Sequence, residues 1–479
     1  MTLSSTALLF SCDKDDEKQE GEADNGQKVY DENSLFYERS LVSDDLAAED
    51  FGGREFRIVT HQPKEFYIEE NERNQGDLMK DAKFARNETV EKRFNVKLTL
   101  AYTGTYSECS DYVSKTVLAG SDEFDLLMGM AIDTGSLVLK KLFLNWYDIE
   151  NVNFSKPWWA SSVTDELTVD GVAPIAISDF NFSAISSTYC MAFNKNLAAS
   201  YEMGDLYKVV LDGKWTFDKL LELVKGVYVD DGNDKRDFND FYGMAHSNGS
   251  QVNTYLWSFD NPVCVKDEEG VPQIAIKTDK INNIVNDIYD LIYNTGGVYY
   301  ENDAPSGTSY PYELFLAKRA IFVPIGLGSC SSTDFRDFED DYGIVPYPKY
   351  DENQTEYKTM ADGFHTVLAV PKTVKDTAYV GKIVEALSAE TWKTVTPTFY
   401  EVALKTRYLR DNESKEVLDL VINGRTFDFG YIYDGFQGFS FTLQRMIAAG
   451  NNNFESQYTK IFPSARYRYK SIVKTFSKL

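Results

Sequence analysis

The 479-residue sequence is short of the residues that do chemistry. Its three histidines, His61, His246 and His365, stand in no HExxH or other zinc-holding spacing, which argues against hydrolytic metal chemistry. None of its five cysteines sits in a CxxC pair or near a histidine, so redox and thiolate-metal motifs are missing, and Cys109, Cys190, Cys264 and Cys330 read as buried thiols. No GxGxxG follows a strand, and there is no phosphate-cradling P-loop and no GxSxG elbow; dinucleotide, nucleotide and serine-hydrolase readings all lack their residues. Basic residues are scarce as well. Lys and Arg total 49 against 75 Asp and Glu, a formal net charge of −26, which repels phosphate backbones and excludes nucleic acid as a partner. No apolar run reaches the roughly 18 residues that a membrane-spanning helix needs. With 13 Pro, 30 Gly and 43% hydrophobic residues the composition is that of a globular protein of two or three domains. What is plentiful is aromatic: 6 Trp, 31 Tyr and 31 Phe exceed what a core rich in Leu, Val and Ile needs, so some rings are expected to face a ligand.

The N-terminus runs MTLSSTALLFSC and then turns polar at DKDDEKQEGEAD. Leu9, Ser11 and Cys12 resemble the cleavage site of a bacterial lipoprotein signal, in which the Cys thiol is acylated; the basic residues that usually open such a signal are absent. From Cys12 to Asp50 there are 14 acidic and 4 basic residues, a composition expected to form a solvated leash. Beyond it, strands expected near 56–60, 96–101 and 124–128 alternate with helices over 77–94 and 112–118, the β-α-β-α-β order of a parallel sheet whose ligands lie at the carboxyl ends of the strands. A further strand is expected at 173–177. The second half repeats the theme: Thr216 caps a helix that stops at Gly226, a long helix spans 279–293, strands are expected at 320–325, 342–346 and 366–370, and helices at 379–387 and 414–422. Residues 460–479 hold six Lys/Arg and no acid, which suits a terminal helix laid against an acidic body.

The segments NETVEKRFNVKL (87–98), AGSDEFDLLM (119–128), KPWW (156–159), AFNKNLA (192–198), DGKWTFDKLLEL (212–223) and DDYGIVPYPKY (340–350) follow one another in an order that resembles the extracellular solute-binding proteins of ABC importers, the group that includes maltose-binding protein. The resemblance covers 54–479. It implies an α/β fold of type II, with two lobes, each a mostly parallel sheet flanked by helices, and a ligand cleft between them. On that pattern 1–12 is the signal, 13–53 the disordered leash, 54–187 plus 346–398 lobe one, and 188–345 plus 399–479 lobe two. It also implies a monomeric, lipid-anchored receptor on the outer face of the cell membrane, which hands a carbohydrate to permease subunits and performs no chemistry. A secreted polysaccharide-active enzyme, or a sensor presenting its solute to a membrane kinase, stays open beside it.

A sugar-binding cleft needs flat apolar faces for C–H patches and carboxylates or amides for hydroxyls. Trp158 and Trp159 follow Pro157 in a loop, and at least one is expected to line the cleft. Asp179 and Asn181 follow the strand expected at 173–177, and Met130 and Asp133 follow that at 124–128, where an open sheet holds its ligand. Asp362, Phe364 and His365 surround Gly363, which lets backbone approach a ligand closely. Trp257, Tyr431 and Tyr433 are the aromatics expected from lobe two. No cofactor is expected other than structural calcium: 229–240 lies where related proteins carry an EF-hand-like loop, with Asp231, Asn233, Asp237 and Asp240 at positions three, five, nine and twelve. Val229 at position one and Asp234 in place of the turn glycine depart from that pattern.

Overall fold

A computed structural model describes residues 21–22, 28–61, 77–303, 311–405, 412–434 and 438–477. Cys12, and with it the expected acylation site, lies outside the described residues.

Two larger sheets are built along the strands β1 (Arg54–Thr60), β2 (Val96–Tyr102), β3 (Leu126–Met130), β4 (Tyr189–Asn194), β5 (Phe241–His246), β6 (Val298–Tyr300), β7 (Ala320–Gly326), β8 (Tyr342–Val345) and β9 (Thr366–Ala369), with the short strand Tyr228–Val229 pairing antiparallel to β5 off the main path. Sheet one has the order β9-β3-β1-β2, with β1 parallel to β2 and β3, and β9 antiparallel to β3. Sheet two has the order β6-β5-β7-β4-β8; β5 is parallel to β6 and β7, and β4 is antiparallel to β7 and β8. Both sheets are therefore mixed, and each is flanked by helices. The helices that matter below are α1 (Leu78–Phe94), α2 (Tyr106–Leu118), α3 (Ala131–Val138), α4 (Ser250–Ser258), α5 (Thr377–Glu390), α6 (Phe429–Asp434) and α7 (Phe454–Phe476).

Local chemistry sets their ends. Asp77 accepts from the N–H groups of Met79 and Lys80 to start α1, and Asn95 ends it at φ 48°, in the left-handed region that Asn tolerates. Thr105 and Glu108 form a reciprocal capping box, so α2 begins at Tyr106, six residues ahead of its first strong apolar signal. Residues 173–177, expected as a strand, join sheet one only through the isolated bridge Ala176↔Leu368.

The lobes meet where Thr188 bridges Ala361 and the Asp362 N–H donates to Ser187 O at 2.9 Å. Residues 346–358 stay with sheet two: the Trp215 indole donates to Pro346 O at 2.8 Å, and the Tyr357 hydroxyl to Val210 O at 2.9 Å. The chain thus returns to sheet one near 361 rather than at the expected 346. Helix 396–405 packs on α1, which carries sheet one's layer past the expected boundary at 398.

The leash expectation is overturned for 30–50. Arg93 grips Asp44 through both guanidinium nitrogens, at 2.5 and 3.0 Å, with the two side chains 4% and 0% exposed. Lys156 donates to Ser43 O at 2.7 Å, Lys382 pairs with Glu49, and Arg39 donates to Trp392 O at 2.7 Å while its guanidinium lies 4.7 Å from the indole centroid. Acidic composition predicts disorder only when nothing basic answers it; here lobe one supplies the cations.

Candidate functional site

The carboxyl ends of β1, β2 and β3 and the start of β9 form one wall of the cleft. His61 follows β1, Tyr106 opens α2 after β2, Met130 ends β3, Asp133 lies in the first turn of α3, and Phe364 precedes β9. The Tyr106 ring packs edge-on against Phe364 at 5.8 Å and against His61 at 6.4 Å. Tyr106 is 40% and Phe364 47% exposed, so two neighbouring aromatic rings are partly open to solvent. Asp133 is half-buried on the same wall. Burial pushes its carboxyl up, opposed by the nearby His61 and by a bond from Ser110.

Lobe two closes on this wall through a polar network. The Tyr189 hydroxyl donates to one Asp362 oxygen, and the Phe364 N–H donates to the other at 2.8 Å. The Gly363 N–H donates to the Tyr431 hydroxyl at 3.0 Å, and the Ser250 side chain at the start of α4 favours the ionised forms of both Asp362 and Tyr431. A Cβ at position 363 would stand 2.3 Å from Ile132 Cδ1, so only glycine lets α3 and Tyr431 approach from both sides. Burial raises the Asp362 carboxyl pKa above its usual range despite its donors. Opposite, the ends of β5 and β6 offer a polar rim: the Asn248 N–H donates to Glu301 at 3.0 Å and its side-chain amide to Asn302 at 2.6 Å. Buried His246 donates from Nδ1 to Ser247 O at 2.7 Å. Burial holds its pKa down at about 4, leaving Nε2 an acceptor with no partner among the described residues.

Trp257 backs this network. Its ring packs edge-on against Tyr431 at 5.4 Å and its N–H donates to Asp428 at 3.0 Å. A pocket of about 290 Å³ opens past it, lined by Glu166 of lobe one and by Lys266, Lys358, Phe427 and Asp428. Asp428 is fully engaged, accepting also from the N–H groups of Val263, Cys264 and Gly430.

Of the residues singled out in the sequence, Met130, Asp133, Asp362, Phe364, Tyr431 and Trp257 gather here. Others do not. Trp158 and Trp159 are 0% and 4% exposed and belong to the core of sheet one, where their indole N–H groups donate to the two oxygens of Glu385 at 2.9 and 2.7 Å. The expectation that one of them lines the cleft is corrected by that shared acceptor, which lets adjacent indoles both be buried. Asn181 is buried and structural, accepting from Ser178 N–H and donating to Thr366 O. Asp179 accepts from Thr396 at 2.7 Å, and burial raises its carboxyl pKa. His365 points inward, its Nδ1 donating to Asp362 O at 2.6 Å and its ring edge-on to Phe427. Tyr433 is buried, with its hydroxyl donating to Leu167 O at 3.2 Å. Tyr106, His61, Tyr189 and Ser250 were missed, although the rule that selected Met130 and Asp133, the carboxyl ends of strands, also covers His61 and Tyr106.

The expected calcium set does not converge. Asn233 donates to Asp237 at 3.1 Å, and Asp240 spends both oxygens on the N–H groups of Asp231 and Asp237 and on the Tyr228 hydroxyl. Asp234, at φ 57°, makes the turn expected of the missing glycine. The carboxylates that do approach within 4.8 Å are Asp230, Asp231 and Asp240. Backbone and tyrosine donors close this loop, and of the expected set Asp231 and Asp240 stand in that group while Asn233 and Asp237 pair with each other.

No protein-family model matches the sequence, and no curated protein does. Solved structures match in fold. The chain is similar to an ABC transporter solute-binding protein from Thermotoga lettingae bound with α-D-tagatose (TM-score 0.54, 12% identity, 88% of this chain and 100% of that one). An ABC substrate-binding protein from Listeria monocytogenes in complex with cycloalternan gives a TM-score of 0.54 at 12% identity, over 89% of this chain and 99% of that one. UgpB from Mycobacterium tuberculosis in complex with glycerophosphocholine gives 0.52 at 14% identity, over 88% and 98%. The chain has the two-lobed type II fold of these solute-binding proteins.

Proposed function

We propose that the chain is a receptor that captures a carbohydrate between its lobes and delivers it, unaltered, to an ABC permease. The observation that carries the reading is the pair of exposed rings Tyr106 and Phe364 at the carboxyl ends of sheet one, where half-buried Asp133 and Asp362 also stand. Flat aromatic surface beside carboxylates is what a sugar ring, with its C–H patches and hydroxyls, requires. Two neighbours of the same fold were solved with tagatose and cycloalternan, and a third with glycerophosphocholine, so the fold itself admits more than one solute class. Anchoring through Cys12 at the outer face of the membrane belongs to this reading and rests on Leu9, Ser11 and Cys12; among the described residues no helix is long and apolar enough to span a bilayer.

Calorimetry against mono- and oligosaccharides tests it. Tyr106→Ala and Phe364→Ala are each expected to weaken binding roughly tenfold, about 1.4 kcal/mol, while the unliganded melting temperature stays within a few degrees, because both rings are already solvated. Sugar hydrolysis by the purified protein, or affinity untouched by both substitutions, would defeat the proposal. A Cys12→Ser chain that still fractionates with membranes after a high-salt wash would defeat the anchor.

A further inference from the structure

The basic C-terminal helix packs on the body through its apolar face, and its lysines point away from it. In α7 the inward face is Phe454, Ala465, Tyr469, Ile472 and Phe476. At about 100° per residue, Lys460, Tyr467, Lys470 and Lys474 fall on the opposite side, in one line about 21 Å long. All four are exposed, Tyr467 at 77%, the most exposed of the large apolar side chains, and Arg466 is exposed beside them. Among the described residues these cations enter no ion pair, and the helix from 460 onward contains no acid. A chain of net charge −26 thus carries one acid-free cationic stripe with an exposed aromatic at its middle.

We propose that this face of α7 docks on an anionic lipid surface, with the Tyr467 ring at headgroup level and Lys460, Lys470 and Lys474 against the lipid phosphates. Tyrosine is amphipathic and settles at membrane interfaces, and lysines beside it reach headgroups with their stems along the surface. The overall negative charge does not forbid this, because charges more than about 8 Å away are largely screened at physiological ionic strength.

The test uses the full chain with Cys12→Ser, so that no lipid anchor contributes, and vesicles of phosphatidylcholine with or without phosphatidylglycerol. Each cation near an anionic surface strengthens binding roughly fivefold. The parent is therefore expected to sediment with phosphatidylglycerol vesicles, the triple variant K460Q/K470Q/K474Q to bind about 100-fold more weakly, and Tyr467→Ala severalfold more weakly, all with unchanged melting temperatures. Binding should fall as salt rises. Equal binding to pure phosphatidylcholine, no binding by the parent, or a triple variant that binds like the parent would overturn the proposal. So would binding that requires a permease in neutral vesicles, which would assign the stripe to a protein partner.

Discussion

Glu385 explains why the most conspicuous aromatic motif of the sequence is structural. Its buried carboxylate receives the Trp158 and Trp159 indoles and the Asn153 N–H, yet burial outweighs these three donors and lifts its pKa to about 7. Removing either indole opens a cavity and strips one donor, so Trp158→Ala and Trp159→Ala are each expected to cost about 3–5 kcal/mol in urea unfolding while the folded fraction binds solute normally. The carboxyl also sets a pH dependence. Between the ordinary glutamate value of 4.5 and about 7 the native protein keeps a proton that the unfolded chain has lost, so stability contributed here falls as pH rises through that window and is level above it. Glu385→Gln should flatten that slope; the same slope in the variant would show that another group produces it. A pair of Trp codes is readable in sequence, but the acceptor that buries both lies 226 positions away in the chain from Trp159.

At the scale of elements, the reading was good where signals are local and poor where they are not. The strands at 56–60 and 96–101 extend by only a residue or two in the structure, and the helix expected to follow Thr216 spans Phe217–Val224. The strand expected at 124–128 lies at Leu126–Met130, which moves Met130 from beyond the strand to its last position. The acidic arm shows the opposite case. Its partners Arg93, Lys156, Lys382 and the Trp392 carbonyl are distant in sequence, so net charge per window carried no sign of docking. Asp44→Ala would leave the Arg93 guanidinium buried without its carboxylate, a loss of about 3–5 kcal/mol wherever the arm cannot let go. The arm is expected to let go: amide exchange over 40–50 should rise well before that of β1 and β3. Unchanged protection there would mean that the arm is held by its other contacts alone.

For the whole molecule, the walls of the proposed cleft are tied by the short pairing of 187–188 with 361–362, by the Tyr189 hydroxyl on Asp362 and the Gly363 N–H on Tyr431, and by the Tyr433 hydroxyl on Leu167 O. A solute touching both lobes would favour their approach by its differential affinity for the closed form. X-ray scattering with and without a bound sugar should show a smaller radius of gyration when bound; an unchanged radius with binding proven by calorimetry would remove closure from the mechanism. The sequence by itself determined the α/β class, the order of elements, the absence of catalytic motifs and the carboxyl-end position of Met130 and Asp133, because each depends on periodicity, capping or chemistry within a few residues. Only the tertiary structure decided which aromatics are exposed. Trp158, Trp159 and Tyr433 vanish into cores while Tyr106, Phe364 and Tyr467 stay exposed, since burial depends on what distant segments bring to each ring, and no local pattern encodes that.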